Sequence, residues 1–248
     1  MTKRVAFVTG GNGGIGSAIC CELAKQGHAV VAGYFPPEKE SAEAWQKEMH
    51  DEGFAIGIAP VDVASFADCE RAVAAISEEF GSIDILVNCA GITRDGTLKK
   101  MSEDNWRAVI ATNMDSAFNV TRHVINGMLE KGWGRIVNIA SVNGQRGQFG
   151  QANYSAAKAG MHGFTMAVAL ETAAKGITVN TVSPGYIATA MTQAMPENVL
   201  ESIVNSVPMR RMGTPEEIAN AVAWLASEGN GYTTGANIPV NGGLFTSH

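Results

Sequence analysis

The stretch VAFVTGGNGGIG, Val5 to Gly16, joins a short β-branched and aromatic run to a turn dominated by glycine. An uncharged apolar run of this length reads as a buried strand. The glycines behind it permit a tight turn and a close backbone approach to a bound group, and SAICCELAKQG then resumes with helical spacing. The start of a helix offers free N–H groups and the positive end of its dipole, so strand, glycine turn and helix in this order suit a dinucleotide pyrophosphate. Two registers can be read. G-x-G-x-x-G falls on Gly11, Gly13 and Gly16, whereas T-G-x-x-x-G-x-G falls on Thr9, Gly10, Gly14 and Gly16.

Outward from that turn the chain alternates. AVVA (29–32), FAIGIA (54–59), DILVN (84–88), RIVNIA (135–140) and ITVNTV (177–182) are further candidate buried strands. Between them lie helical patterns, ADCERAVAAISEEFG and a long one from Asp104 to Gly132, several closed by a glycine where a C-cap would stand. The alternation implies βαβ units, which predicts an α/β fold: one Rossmann-type, doubly wound parallel sheet with helices on both faces. No linker, repeat or low-complexity segment interrupts residues 1–248, so a single domain is expected.

Composition excludes several classes. Hydrophobic residues make up 46% and charged residues 17%, as in ordinary globular domains, which excludes disorder. A net charge of −6 argues against a nucleic-acid partner, because polyanion binders carry a basic excess. The apolar run near the N-terminus is too short for a signal sequence, and no run reaches the length of a membrane span, so a soluble cytoplasmic protein is expected. Cys20, Cys21, Cys69 and Cys89 show neither C-x-x-C spacing nor a histidine cluster, so neither a metal site nor a disulfide is expected.

In QANYSAAKAG, Tyr154 and Lys158 stand one helical turn apart and share a face. Such a pair is ordinarily a surface contact. Here it belongs to an ordered series: TGGNGGIG, Asp62 in VDV, NCAG from Asn88 to Gly91, Asn113 in ATNMDS, Ser141 in NIASVNG, Y-x-x-x-K, SPG from Ser183 to Gly185, then Thr189. With that series the chain resembles the short-chain dehydrogenases/reductases from its glycine turn to Gly242 and Gly243. Cys89 departs from the family, which commonly has a second asparagine there, and a change in how that turn is held is expected.

The resemblance implies an oxidoreductase using a nicotinamide cofactor, with Asn113, Ser141, Tyr154 and Lys158 as its catalytic set. Tyr154 would donate the proton that a reduced ketone needs, helped by the Lys158 cation favouring the phenolate. Ser141 would bind the substrate oxygen, and Asn113 would hold a water linking Lys158 to solvent. Read singly, Ser141 could end a strand and Asn113 could bond a neighbouring carbonyl within a helix. By the same resemblance the cofactor would lie against Gly10, Asn12, Gly14, Ile15, Gly16, Tyr34, Asp62, Val63, Asn88, Ala90, Gly91, Tyr154, Lys158, Pro184, Gly185, Ile187 and Thr189. Asp62 could instead cap the helix beginning near Ser65.

NADH and NADPH differ by a 2′-phosphate, which arginine recognises best. After the second strand comes GYFPPEKE: Tyr34 stands where NAD-dependent members often have aspartate, and Glu38 and Glu40 would repel a phosphate that Lys39 or Lys3 could attract. The balance favours NADH narrowly.

The segments ITRDGTLKKM, SVNGQRGQFGQANYSAAKAG and SPGYIATAM resemble the acetoacetyl-CoA reductase subfamily. That likeness implies an acyl-CoA substrate touched by Gln148, Phe149, Gln151 and Tyr186, with Asp95 and Lys100 along the mouth. It also implies (R)-3-hydroxybutyryl-CoA as product, for polyhydroxybutyrate synthesis, and a homotetramer, for which the long helices containing Trp106 to Met128 and Ala156 to Ala174 are candidates for one interface and the C-terminal ANIPVNGG strand for another. Two alternatives stand beside it. A 3-oxoacyl-carrier-protein reductase shares the chemistry, although Leu170 precedes Glu171 where that group tends to have arginine. A dinucleotide-sensing regulator would share the fold but needs no proton donor.

Overall fold

The computed structural model describes residues 3–189, 192 and 196–246. Each run read as a strand forms one: β1 (Val5–Thr9), β2 (Ala29–Tyr34), β3 (Ile56–Pro60), β4 (Ile85–Asn88), β5 (Gly134–Ile139) and β6 (Ile177–Pro184). A seventh, β7 (Asn237–Val240), lies at the edge. All pair in parallel, in the order β3-β2-β1-β4-β5-β6-β7. The chain winds outward from β1 to β3, then returns to lay β4 on the other side of β1. The order therefore reverses between β1 and β4, and the crevice beyond their C-terminal ends is where this fold receives ligands.

The helices are α1 (Gly14–Lys25), α2 (Lys39–Asp51), α3 (Phe66–Phe80), α4 (Glu103–Ile110), α5 (Ser116–Lys131), α6 (Val142–Arg146), α7 (Ala152–Thr172), α8 (Glu197–Ser206) and α9 (Pro215–Ala226). Alternation within β1 shows why both faces are covered. Ala6 and Val8 join Ile19 and Leu23 of α1 and Ile218, Val222 and Leu225 of α9 in one core. Val5 and Phe7 join Val73 and Ile76 of α3 and Val120, Val124 and Met128 of α5 in the other. Each of these side chains larger than alanine contributes about 1.5–3 kcal/mol on burial, and a one-residue slip would exchange the two sets, so the register is strongly fixed.

Helix ends follow the chemistry of their residues. The Ser65 and Ser102 hydroxyls accept from the backbone amides of Asp68 and Asn105, opening α3 and α4. Gly27, Gly81 and Gly132 adopt positive φ just past α1, α3 and α5. One expectation fails. The pattern from Asp104 to Gly132 is not a single α-helix but α4, a π turn over Ala111–Asp115, and α5. The Asn113 side chain donates to the Val109 carbonyl (2.9 Å), which an unbroken α-helix would give to the Asn113 amide. The side chain competes with the backbone and the turn widens.

Candidate active site

The glycine turn is built for close approach. Gly10 has φ of +63°, and a Cβ there would stand 3.0 Å from the Ala90 Cα. A Cβ on Gly16 would come within 2.1 Å of the Gly10 carbonyl oxygen, and one on Gly14 within 3.0 Å of Thr189 Cγ2. Gly13 would meet only an ordinary contact at 3.4 Å. Gly11 is enclosed as well, since a Cβ there would stand 2.6 Å from the Ala32 Cβ, so of the glycines in the two registers only Gly13 has room for a side chain. α1 opens with no side-chain cap on its first amides and no acidic residue in its first turn, which suits an anion. Asn12 and Ile15, half-buried, complete this turn.

Across the switch point, the Thr9 hydroxyl accepts from the amides of Cys89 (3.0 Å) and Ala90 (3.1 Å). This fixes the turn after β4 through backbone groups, so the Cys89 side chain is not what holds it. Asn88 donates to Thr121 (3.2 Å) and Asn138 (2.8 Å), while its own buried oxygen has no partner within the protein.

Further along the crevice, Tyr34 ends β2 and is buried. Ser65 caps α3, so that role does not fall to Asp62, whose Oδ1 instead accepts from the Ala64 amide (3.0 Å). Val63, beside it, is buried and receives the Asn119 side chain on its carbonyl (3.0 Å). Lys39 reaches Glu43 (3.6 Å) one turn along α2, and Glu38 and Glu40 are exposed. At the other wall, Pro184 ends β6, Gly185 lies so near Asn241 that a Cβ would meet its Cα at 2.8 Å, and Ile187 bridges to Gly213.

The four residues singled out as catalytic come together past the ends of β4 and β5. Ser141 caps α6, its hydroxyl accepting from the Asn143 amide (3.1 Å). Tyr154 and Lys158 rise from the first two turns of α7, with the ammonium 5.7 Å from the phenol ring centroid. Lys158 is buried and donates to the Ile139 carbonyl (2.7 Å). Asn113 donates to the Ile92 and Val109 carbonyls, both at 2.9 Å, which leaves its buried Oδ1 without a protein partner. Gly91 keeps this space open: a Cβ there would lie 2.5 Å from Asn113 Oδ1 and 3.6 Å from Lys158 Nζ.

Burial controls the titration of the pair. It lowers Lys158 to about 8, and it raises the Tyr154 phenol, opposed by a hydrogen bond from Ser141. In the ligand-free protein loss of hydration is the leading influence on the phenol.

On the substrate side, the loop carrying Asp95 meets the loop carrying Gln151 through a bridge at Gly96. Gln151 donates to both carboxylate oxygens of Asp95 (3.0 and 2.9 Å). Gln148 accepts from Arg146 (3.4 Å), and Lys100 is exposed. Phe149 is 87% exposed, and it makes no ring contact with Tyr186 among the described residues. Tyr186 is half-buried and lines a separate cavity of about 330 Å³ with Val207, Met209 and Gly242. Phe149 and Tyr186 thus stand apart from each other in the ligand-free protein. Met191, at the end of the SPGYIATAM segment, lies outside the described residues. Two residues that sequence reasoning passed over help to build the site. Asn153 donates to the Arg94 and Asn105 carbonyls while accepting from the Tyr154 amide, and Asn143 joins Ser141 to Gln151. Both sit beside motif residues, but nothing in their spacing distinguishes them.

A glycine turn at the switch point, with a serine, a tyrosine and a lysine gathered next to it, defines a class, and the chain belongs to the short-chain dehydrogenase/reductase family. The family model described as enoyl-(acyl carrier protein) reductase matches residues 10–245. Among curated relatives, an acetoacetyl-CoA reductase of Allochromatium vinosum is 63% identical over 98% of both chains. Another of that name from Cupriavidus necator is 55% identical over 98% of this chain and 99% of its own. A 3-oxoacyl-[acyl-carrier-protein] reductase of Vibrio cholerae is 44% identical over 98% of this chain and 97% of its own.

Proposed function

We propose that the protein reduces the 3-keto group of acetoacetyl-CoA with a nicotinamide cofactor, giving (R)-3-hydroxybutyryl-CoA for polyhydroxybutyrate synthesis in the cytoplasm. The observation that carries this reading is the convergence of Ser141, Tyr154, Lys158 and Asn113 beside the glycine turn, in a chain whose more similar curated relatives bear that activity's name. The uncapped start of α1 would take the pyrophosphate, Thr189 and Gly14 would frame it, and Lys158 would hold the nicotinamide ribose. Asp62 and Val63 lie on the adenine side. The bound cofactor supplies a hydride.

The protein's own groups manage the oxygen. Ser141 and Tyr154 donate to the keto oxygen and stabilise the charge that develops on it, as an oxyanion hole does. The Ser141 oxygen accepts from the Asn143 amide, and its proton, directed at Tyr154 in the free protein, can turn toward substrate. The Tyr154 phenol, which burial raises above its ordinary value, is protonated at neutral pH and can give its proton as the alkoxide forms. Lys158, anchored on the Ile139 carbonyl, restrains the resulting phenolate. Asn113 Oδ1, facing the space that Gly91 leaves, is placed to hold a water joining Lys158 to solvent.

Lys39 spends its charge on Glu43 beside two exposed acids, which supports NADH over NADPH. Exposed Trp106, Phe118, Met166 and Leu170 on α4, α5 and α7 support a homotetramer, which sedimentation as a monomer would contradict. The test of function mixes the purified protein with NADH and either acetoacetyl-CoA or the carrier-bound thioester. Faster cofactor oxidation with acetoacetyl-CoA, declining for longer 3-oxoacyl chains, is expected. Faster turnover of the carrier-bound form would transfer the assignment to fatty-acid synthesis.

A further inference from the structure

A run of hydrogen bonds crosses the substrate side of the cleft, and its direction is fixed by chemistry. The Asp95 carboxylate accepts only, so the Gln151 NH₂ must face it, as observed at 3.0 and 2.9 Å. Gln151 Oε1 is thereby turned inward, where it accepts from Asn143 Nδ2 (3.0 Å). The backbone amide of the same asparagine donates to the Ser141 hydroxyl (3.1 Å). Asn143 thus touches the reaction centre with its main chain and the mouth of the cleft with its side chain. It rides on α6, which cannot drift: a Cβ on Gly144 would meet the Lys158 backbone at 2.7 Å. Gln151 is held from the other side as well, since Gly96 bridges to it and donates to the Gly150 carbonyl (2.8 Å).

We propose that Asn143 is a positioning residue that locks the Gln151 amide with its donors toward the mouth, and that Asp95 holds those donors until an amide carbonyl of the substrate's pantetheine arm replaces the carboxylate. The proposal rests on the reading of the protein as an acyl-CoA reductase. Gln151 reversed would present an oxygen to that carbonyl and repel it. With Asn143 in place, reversal would bring oxygen against the Asp95 carboxylate and an NH₂ against the Asn143 NH₂, so only one orientation survives.

The decisive variant is Asn143→Asp, which keeps the size of the side chain and the backbone amide on Ser141 but cannot donate to Gln151. The expected result is a rise of about tenfold in KM for acetoacetyl-CoA, the loss of one well-made hydrogen bond, with kcat falling by less than about threefold. Ethyl acetoacetate, which has the ketone but no pantetheine arm, should show only the fall in kcat. Asn143→Ala, which removes the donor without adding charge, should give the same split. A second readout needs no substrate. In the ligand-free protein the side-chain amide NMR signals of Gln151 should shift on Asp95→Asn, and that response should vanish in the Asn143→Asp background. An unchanged KM, equal losses on both ketones, or Gln151 signals that still respond to Asp95→Asn would overturn the proposal. If the parent protein proves inactive on acetoacetyl-CoA, the functional reading falls while the NMR arm still decides the role of Asn143.

Discussion

The two ends of the parallel sheet treat charged groups differently. At the N-terminal end nearly every charge is spent. Asp84 accepts from the Val5 amide (3.0 Å) and from Lys131 (2.6 Å), with Arg4 at 3.8 Å. Arg4 also pairs with Glu228 (2.6 Å), and the Arg4 and Arg135 guanidiniums lie 3.8 and 4.4 Å from the Trp133 ring centroid. Buried Arg135 donates to the carbonyls of Gly134, Gly176 and Ser227. At the C-terminal end, Asn88, Asn113 and Asn143 each leave a buried oxygen unpartnered, and burial weakens the proton affinity of Lys158. Unmet acceptors cost about 1–3 kcal/mol each. The difference lies in the charges: at one end they are paired and hold the strands together, although His28 Nδ1 and Thr178 Oγ1 there are also buried without partners, while the other end gathers three unpartnered amide oxygens near a buried lysine.

That division can be broken by substitutions at each end. At the cleft, Tyr154→Phe should leave thermal stability and cofactor binding intact while turnover falls by about 10² to 10⁴, the usual worth of general acid catalysis. Stopped assays with matched melting curves check this, and near-normal turnover would remove Tyr154 as the donor. At the opposite end, Asp84→Ala should leave the Val5 amide without its acceptor and destabilise by about 1–3 kcal/mol, with kcat per folded molecule unchanged. Urea unfolding with active-site titration would reveal it, and a loss of activity without a loss of stability would erase the distinction.

A pH profile sharpens the comparison further. Lys158 is lowered from 10.5 to about 8, so the unfolded chain keeps this proton up to about pH 10.5 whereas the folded one loses it near 8. Its burial therefore destabilises by about 3 kcal/mol below pH 8, and that penalty fades as pH rises toward 10.5. If the ammonium serves turnover, kcat/KM for reduction should fall about tenfold per pH unit above 8, just where this group's cost to stability eases. A flat profile to pH 9.5 would separate Lys158 from the rate. The smallest change expected is in cofactor choice. Glu38→Gln with Glu40→Gln should move the NADH to NADPH ratio of kcat/KM toward NADPH by a few-fold, the scale of exposed charge effects. Strong NADPH preference in the parent would show the phosphate pocket to lie elsewhere.

Much of the fold was legible because strands buried on both faces read as uninterrupted apolar runs, and glycines at positive φ mark helix ends. The gathering of Tyr154, Lys158, Ser141 and Asn113 was legible through their order along the chain. What was not legible depends on contacts between distant segments. Whether Phe149 meets Tyr186 is decided by how two loops lie, and Phe149 faces solvent. The upward push on the Tyr154 phenol comes from burial, which composition does not report. The role of Thr9 is to receive amides some 80 positions along the chain, and a strand's last threonine carries no mark of such a partner.

The π turn at Ala111–Asp115 has a consequence for how this region can vary. One residue added to a helix rotates everything after it by about 100°. α4 can therefore lie against α7 while α5 turns a different side to α3 and to the sheet. Removing a single residue from 111–115 would keep the helical propensity of the segment yet swing Val120, Val124 and Met128 away from the core they fill. Point substitutions in this stretch test side chains one at a time, but its length is a property of the whole helix, and a one-residue deletion is expected to cost folding where substitution of an exposed neighbour such as Arg122 costs little.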